Sequence, residues 1–213
     1  MSTRLIRWIA TVMVALLVLA ASALLVSYSR WLRQIADGNQ ALAAGDIPTA
    51  RQTYQAATQR LDQVAFLRQV GGPGYHELIF NYARVLYAAK DDAELTRLLE
   101  NEAARAPGLS DESEFHFWTG NVQFRRALTL KDKQALQANL QQSAESFRLA
   151  LVAAPNDWDV KYNYELTLRL LESMRKGKED SLERIKKGQM KLLRENVDKT
   201  KEQKSKIAPE KRG

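Results

Sequence analysis

The apolar positions of this chain fall into three regimes. From Trp8 to Ser29 the sequence reads WIATVMVALLVLAASALLVSYS, 22 residues without a charge, flanked by Arg7 and Arg30. At 1.5 Å rise per residue, about 20 apolar residues cross a hydrocarbon core of about 30 Å. Trp8, Tyr28 and Trp31 stand near the two ends, where amphipathic rings favour the membrane interface. Ala21-Ser22-Ala23 has the small-x-small form of a signal-peptidase site. A signal peptide, however, has an apolar region of about 7–15 residues with a polar stretch after the cut. Here Leu24, Leu25 and Val26 follow it. A buried helix of a soluble domain is a third reading. Length favours an uncleaved anchor over both.

Beyond the anchor, apolar residues recur at i, i+3, i+4 and i+7, the spacing of amphipathic helices. Turn signals interrupt them at Ala44-Gly45-Asp46, Gly71-Gly72-Pro73-Gly74, Lys90-Asp91-Asp92, Ala106-Pro107-Gly108, Lys131-Asp132-Lys133 and Pro155-Asn156-Asp157. No strand pattern survives. Short turns between amphipathic helices predict paired antiparallel helices and an all-α fold.

Charge separates the third regime. Residues 174–213 hold 14 Lys or Arg against 7 Asp or Glu, leaving 18 basic and 18 acidic residues in the rest of the chain. The folded part is therefore neutral, and the net charge of +7 describes the tail. No nucleic-acid face is expected. Leu182, Ile185, Met190, Leu192, Leu193 and Val197 form a weak helical stripe in that tail, which Gly177 and Gly188 interrupt. Such a stripe either lies on anionic lipid or frays in solvent, and its shortness favours the second. The expected division is a cytoplasmic N-terminus at 1–7, a transmembrane anchor at 8–29, a helical domain at 30–173 and the basic tail at 174–213. Arg4, Arg7 and the α-amino group precede the anchor, while Arg30 and Arg33 follow it. The positive-inside rule then leans towards a single pass through a bacterial inner membrane, with the bulk of the chain in the periplasm.

The helical pairs repeat. Gly38, Gly45-Asp46, Ala50, Tyr54 and Ala57 follow the spacing of a tetratricopeptide repeat, which this segment resembles. Small residues at Gly38, Ala50 and Ala57 let two helices approach, and Tyr54 fills the gap beside them. A second, worn match runs from Leu78 to Pro107, with Ala83, Asp91 and Leu99 in place of Gly38, Asp46 and Tyr54. Leu95 and Glu102 occupy its small-residue positions. A third begins at Gly120-Asn121 and closes with Phe147, Ala150 and Pro155, its helices about eleven residues further apart than the motif allows. Asn156-Asp157-Trp158-Asp159 then caps a last helix, in which Trp158, Tyr162, Leu166, Leu170 and Leu171 are expected to seal the stack. The resemblance implies a transmembrane helix followed by a short tetratricopeptide-like solenoid of helical hairpins and a basic tail.

In such a solenoid the first helix of each pair lines the inner wall. The register nominates Asn39 and Leu42, then Glu77, Phe80, Arg84 and Tyr87, then Phe117, Asn121, Phe124 and Arg125. Asparagine can bond a ligand backbone, arginine can pair a carboxylate, and aromatic rings can anchor an apolar segment. For any one of them, core packing or plain solvation is the ordinary alternative.

Catalytic chemistry has little to stand on. The chain has no cysteine and two histidines, His76 and His116, close to Glu77 and Glu114. A shared metal site is one reading of these, and isolated surface or interface histidines the more usual one. No Ser-His-Asp spacing, H-E-x-x-H, P-loop or G-x-G-x-x-G occurs. The expectation is a non-enzyme without cofactor, metal, small-molecule substrate or nucleic acid, whose partners are proteins of the cell envelope.

The segment Asn156-Asp157-Trp158-Asp159-Val160-Lys161-Tyr162-Asn163-Tyr164-Glu165-Leu166-Thr167-Leu168-Arg169, on a short chain with an N-terminal anchor, resembles the MxaK family. That family is encoded with MoxR-type AAA+ ATPases and von Willebrand A-domain proteins, and is implicated in maturation of methanol dehydrogenase, including calcium insertion. The resemblance implies an accessory or assembly role and carries no catalytic residue with it. The alternative class is a general periplasmic chaperone or translocon-associated repeat protein.

Overall fold

The computed structural model describes residues 3–63, 67–68, 71–177 and 187. Within them lie seven α-helices, one 3-10 turn and no strand. The helices are α1 (Thr3–Ala43), α2 (Ile47–Gln63), α3 (Gly72–Ala88), α4 (Asp92–Arg105), α5 (Ser113–Thr129), α6 (Lys133–Ala153) and α7 (Trp158–Arg175). The 3-10 turn, Pro107–Asp111, joins α4 to α5. Nearly all of the basic tail, including the stripe from Leu182 to Val197, lies outside the described residues.

The anchor helix does not end where the apolar run ends. α1 is a single helix of 41 residues, about 60 Å at 1.5 Å per residue. It is long and apolar enough to cross a membrane, and no residue of its hydropathic window is buried. Trp8 is 69% exposed, like the large apolar residues that follow it. Trp31 is not interfacial. It is fully buried, its Nε1 donates to the Ala57 carbonyl at 3.2 Å, and its ring lies beside Gly71 and Gly74. A ring read from sequence as a membrane belt is a core residue because α2 folds back along the same helix. One-sided burial begins at Ser27 and Tyr28.

Three packed hairpins follow: the end of α1 with α2, α3 with α4, and α5 with α6. The first two reverse in the same way. Gly45 (φ 72°) and Lys90 (φ 61°) each take the left-handed conformation that ends a helix, and an aspartate follows. Asp46 accepts from the Thr49 amide at 3.3 Å, and Asp91 from Glu94 at 3.1 Å. Asp132 and Asp157 cap α6 and α7 likewise. A cap contributes about 1 kcal/mol, so four aspartates set where four helices start.

Close approach of the paired helices rests on glycine. A Cβ placed on Gly38 would stand 2.5 Å from Tyr54 Cε1, and one on Gly120 would stand 2.8 Å from Phe147 Cε1. Ala50, Tyr54 and Ala57 are fully buried together. The third pair absorbs its extra residues in both helices and not in a longer loop: α5 runs nine residues past Gly120 and α6 starts fourteen before Phe147, against five past Gly38 and seven before Tyr54 in the first pair. Ser143, fully buried, donates to the Gly120 carbonyl at 2.9 Å.

The worn second pair handles its misfit by charge. Glu102, 1% exposed at a position where a small residue is expected, receives Tyr75 Oη at 3.0 Å, Arg68 Nε at 3.2 Å and Arg105 at 3.2 Å. Burial of an isolated carboxylate would be prohibitive; three donors make it tolerable.

The first helices of successive pairs also touch: α1 with α3, α3 with α5, and α5 with α7. α7 closes the described fold through Val160, Thr167 and Leu170, which are buried, and through half-buried Leu166 and Leu171. Trp158 and Tyr162 do not seal it. They are 79% and 59% exposed, because Asp157 starts the helix in a register that turns both rings outward.

Candidate functional site

Between α3 and the start of α5 lies an open cleft of about 560 Å³, walled by His76, Glu77, Phe80 and Asn81 on one side and Glu114 on the other. Gly72 and Pro73 close one end. Pro73 fits there because the first turn of a helix needs no amide from it. Residues 76, 77, 80 and 81 share one face of α3 by helical spacing.

The cleft is bordered by a polar cluster that joins α1, α2 and α3. Asn39 Nδ2 donates to Glu77 Oε1 at 2.6 Å, and its Oδ1 accepts from Tyr54 Oη at 2.6 Å and from Asn81 Nδ2 at 3.0 Å. Burial, reinforced by the charge of Glu77 and opposed by Arg84, pushes the Tyr54 phenol up to about 12. Tyr54 thus stays a neutral donor at any physiological pH.

The ten nominated residues separate into three groups. Phe80, Asn121 and Phe124 are buried, and Leu42 and Phe117 pack half-buried against the core. Asn39, Tyr87 and Arg125 are held by neighbours. Arg125 reaches across from α5, forms a two-pronged pair with Asp92, donates to the Tyr87 carbonyl at 2.8 Å, and stacks 3.8 Å over the Tyr87 ring. It is a clamp between hairpins, not a cation on offer. Asn121 accepts from Asn163 Nδ2 at 3.1 Å while donating to the Phe117 carbonyl. Glu77 and Arg84 are exposed, and Arg84 makes no ion pair among the described residues. The cleft therefore brings together Glu77, Phe80 and the nearby Arg84, and leaves the α5 nominees elsewhere.

His76, Asn81 and Glu114 complete the wall. Asn81 had a sequence signal: it follows Asn39 by 42 residues, the separation that recurs between Asn121 and Asn163, and both pairs are hydrogen-bonded. His76 Nδ1 is 3.3 Å from Glu112 Oε1. Glu114 sits at the rim, and the surrounding protein raises its carboxyl pKa despite the opposing pull of Arg84. His116 lies away from the cleft wall, its ring against Phe115, and burial lowers its pKa. The two histidines do not converge, and among the described residues no three histidine or acidic side chains are placed to hold a metal.

The cleft can accept an extended segment: an apolar floor at Phe80, hydrogen-bonding groups at His76 and Asn81, and charges of both signs at Glu77, Glu114 and Arg84. No family model, curated protein sequence or solved structure matches the chain.

Proposed function

We propose that this protein is a membrane-tethered, tetratricopeptide-like interaction protein that holds a partner segment in the α3–α5 cleft. We further propose that it acts as an accessory or assembly factor for an envelope enzyme or complex, with its helical domain on the periplasmic face. The observation that carries the reading is the recurrence of one packing device, Gly38 on Tyr54 and Gly120 on Phe147, in hairpins whose first helices stack in order at the end of a helix long enough to cross a membrane. Stacked hairpins of that kind expose one side of their first helices to ligands.

The maturation role, and a MoxR or methanol dehydrogenase system as its setting, rest on the MxaK resemblance of residues 156–169. Several residues of that segment serve the fold: Asp157 caps α7, Val160 is buried, and Asn163 bonds to Asn121.

Crosslinked pull-down from native membranes tests the proposal. A dedicated factor returns one stoichiometric partner, and Arg84→Glu with Glu114→Arg weakens its capture without changing the melt. A spread of unrelated clients, insensitive to both changes, would point to the general chaperone instead. A C-terminal alkaline phosphatase fusion is expected to be active; activity of a cytoplasmic reporter in its place would reverse the topology.

A further inference from the structure

α1 and α2 flank a second, open cavity of about 650 Å³, at the level where the long helix changes from exposed on all sides to buried on one. One part of its lining is apolar or small: Leu19, Ala23 and Val26 of α1, with Ser22 and Ser27 between and beside them. The other part is polar: Arg30 of α1 with Arg60 and Gln63 from the last turn of α2. Neither Arg30 nor Arg60 makes an ion pair among the described residues. From Leu19 to Arg30 the wall runs about 16 Å along the helix axis, close to the hydrocarbon depth of about 15 Å in one leaflet. With α1 across the membrane, these two guanidinium groups would lie at headgroup level, above a largely apolar wall about as long as one leaflet is deep.

We infer that this cavity seats one anionic phospholipid, its phosphate between Arg30 and Arg60 and one acyl chain along Leu19, Ala23 and Val26. Planar guanidinium groups bind phosphate oxygens in a two-pronged manner, and the low dielectric at the membrane boundary strengthens the pairing. A zwitterionic lipid would bring its own cation to the same place and gain less. The bound lipid would fix the angle between membrane and helical domain, since α1 and α2 each contribute one of the two arginines. This inference rests on the membrane-anchor reading of α1.

The test uses full-length protein in a neutral detergent containing equal amounts of phosphatidylglycerol and phosphatidylcholine, with retained lipid counted by native mass spectrometry. Wild type is expected to retain the anionic lipid at least about fivefold over the zwitterionic one, because recognition is electrostatic. Arg30→Gln with Arg60→Gln should bring the ratio to about one, Arg30→Lys with Arg60→Lys should keep only part of it because the two-pronged geometry is lost, and Arg97→Gln, remote from the cavity, should leave it unchanged. Ala23→Trp, which fills the apolar half and spares both charges, should lower retention of either lipid. An equal ratio in wild type, or a ratio unchanged in the double glutamine variant, overturns the inference. Displacement of the lipid by millimolar inorganic phosphate overturns it too, by assigning the arginines to a free anion. Carbonate extraction of protein reconstituted in phosphatidylcholine vesicles separates the two readings. Release ends the anchor, whereas firm insertion without lipid preference ends only the lipid seat.

Discussion

Gly38 and Tyr54 form one packing unit: the ring lies where a Cβ of residue 38 would be, and the hydroxyl donates to the neighbouring Asn39 at 2.6 Å. Tyr54→Ala is expected to destabilise the protein by about 3–5 kcal/mol, the usual cost of deleting a packed aromatic. Gly38→Leu should also destabilise, by overpacking. Thermal melts followed by circular dichroism in detergent check both; two unchanged melting curves would show the helix pairing to be misassigned.

Glu102 makes a second prediction through what it neutralises. Glu102→Ala leaves Arg68, whose side chain is 12% exposed, with Asp62 and the Leu61 carbonyl alone and strips the buried Tyr75 hydroxyl of its acceptor, at a cost of about 1–3 kcal/mol. Replacing both Arg68 and Glu102 by leucine should recover much of that loss, because no charge is then left buried. A double-mutant cycle by urea denaturation measures the coupling.

Lys90 holds a backbone conformation, φ 61°, that glycine adopts freely and lysine does not. Its side chain is exposed. Lys90→Gly should therefore stabilise the second hairpin by about 0.5–1 kcal/mol, less the entropy that glycine adds to the unfolded chain. A lower melting temperature would contradict this.

Arg84 and Arg125 lie on neighbouring first helices yet should respond oppositely. Arg125→Gln removes the pairing with Asp92 and the bond to the Tyr87 carbonyl, and should lower stability by about 1–3 kcal/mol. Arg84→Gln should stay within about 0.5 kcal/mol of wild type. Equal melts for the two variants would deny the clamp.

One part of the pH dependence follows from His116, whose pKa burial lowers from the ordinary 6.5, while the raised carboxyl of Glu114 works in the opposite sense as pH falls further. At His116 the unfolded chain binds a proton at a higher pH than the folded one, so this contribution to stability falls as pH drops through about 6.5 and below. His116→Gln should flatten that part of the profile. A wild-type melt that rises between pH 7 and pH 5.5, with the variant flat, would reverse the sign.

Much of the architecture was legible in the residues themselves. A charge-free run longer than the bilayer needs, aspartates at four of the helix starts, and small residues at fixed distances from Tyr54 and Phe147 act through backbone geometry and local sterics. Such effects are written in short stretches of chain. Length, capping and register are therefore properties of the sequence. The fate of individual side chains is not. Trp31 became core because α2 returned along α1. Trp158 became surface because Asp157 set the phase of α7. Arg125 became a clamp because Asp92 and Tyr87 of another hairpin came within reach, and Glu102 became tolerable because Arg68 and Tyr75 did. The cleft around His76, Asn81 and Glu114 exists for the same reason, since its walls belong to helices separated by a full hairpin. A side chain's energy depends on what surrounds it, and for these residues the surroundings come from distant parts of the chain that only the packed structure brings together.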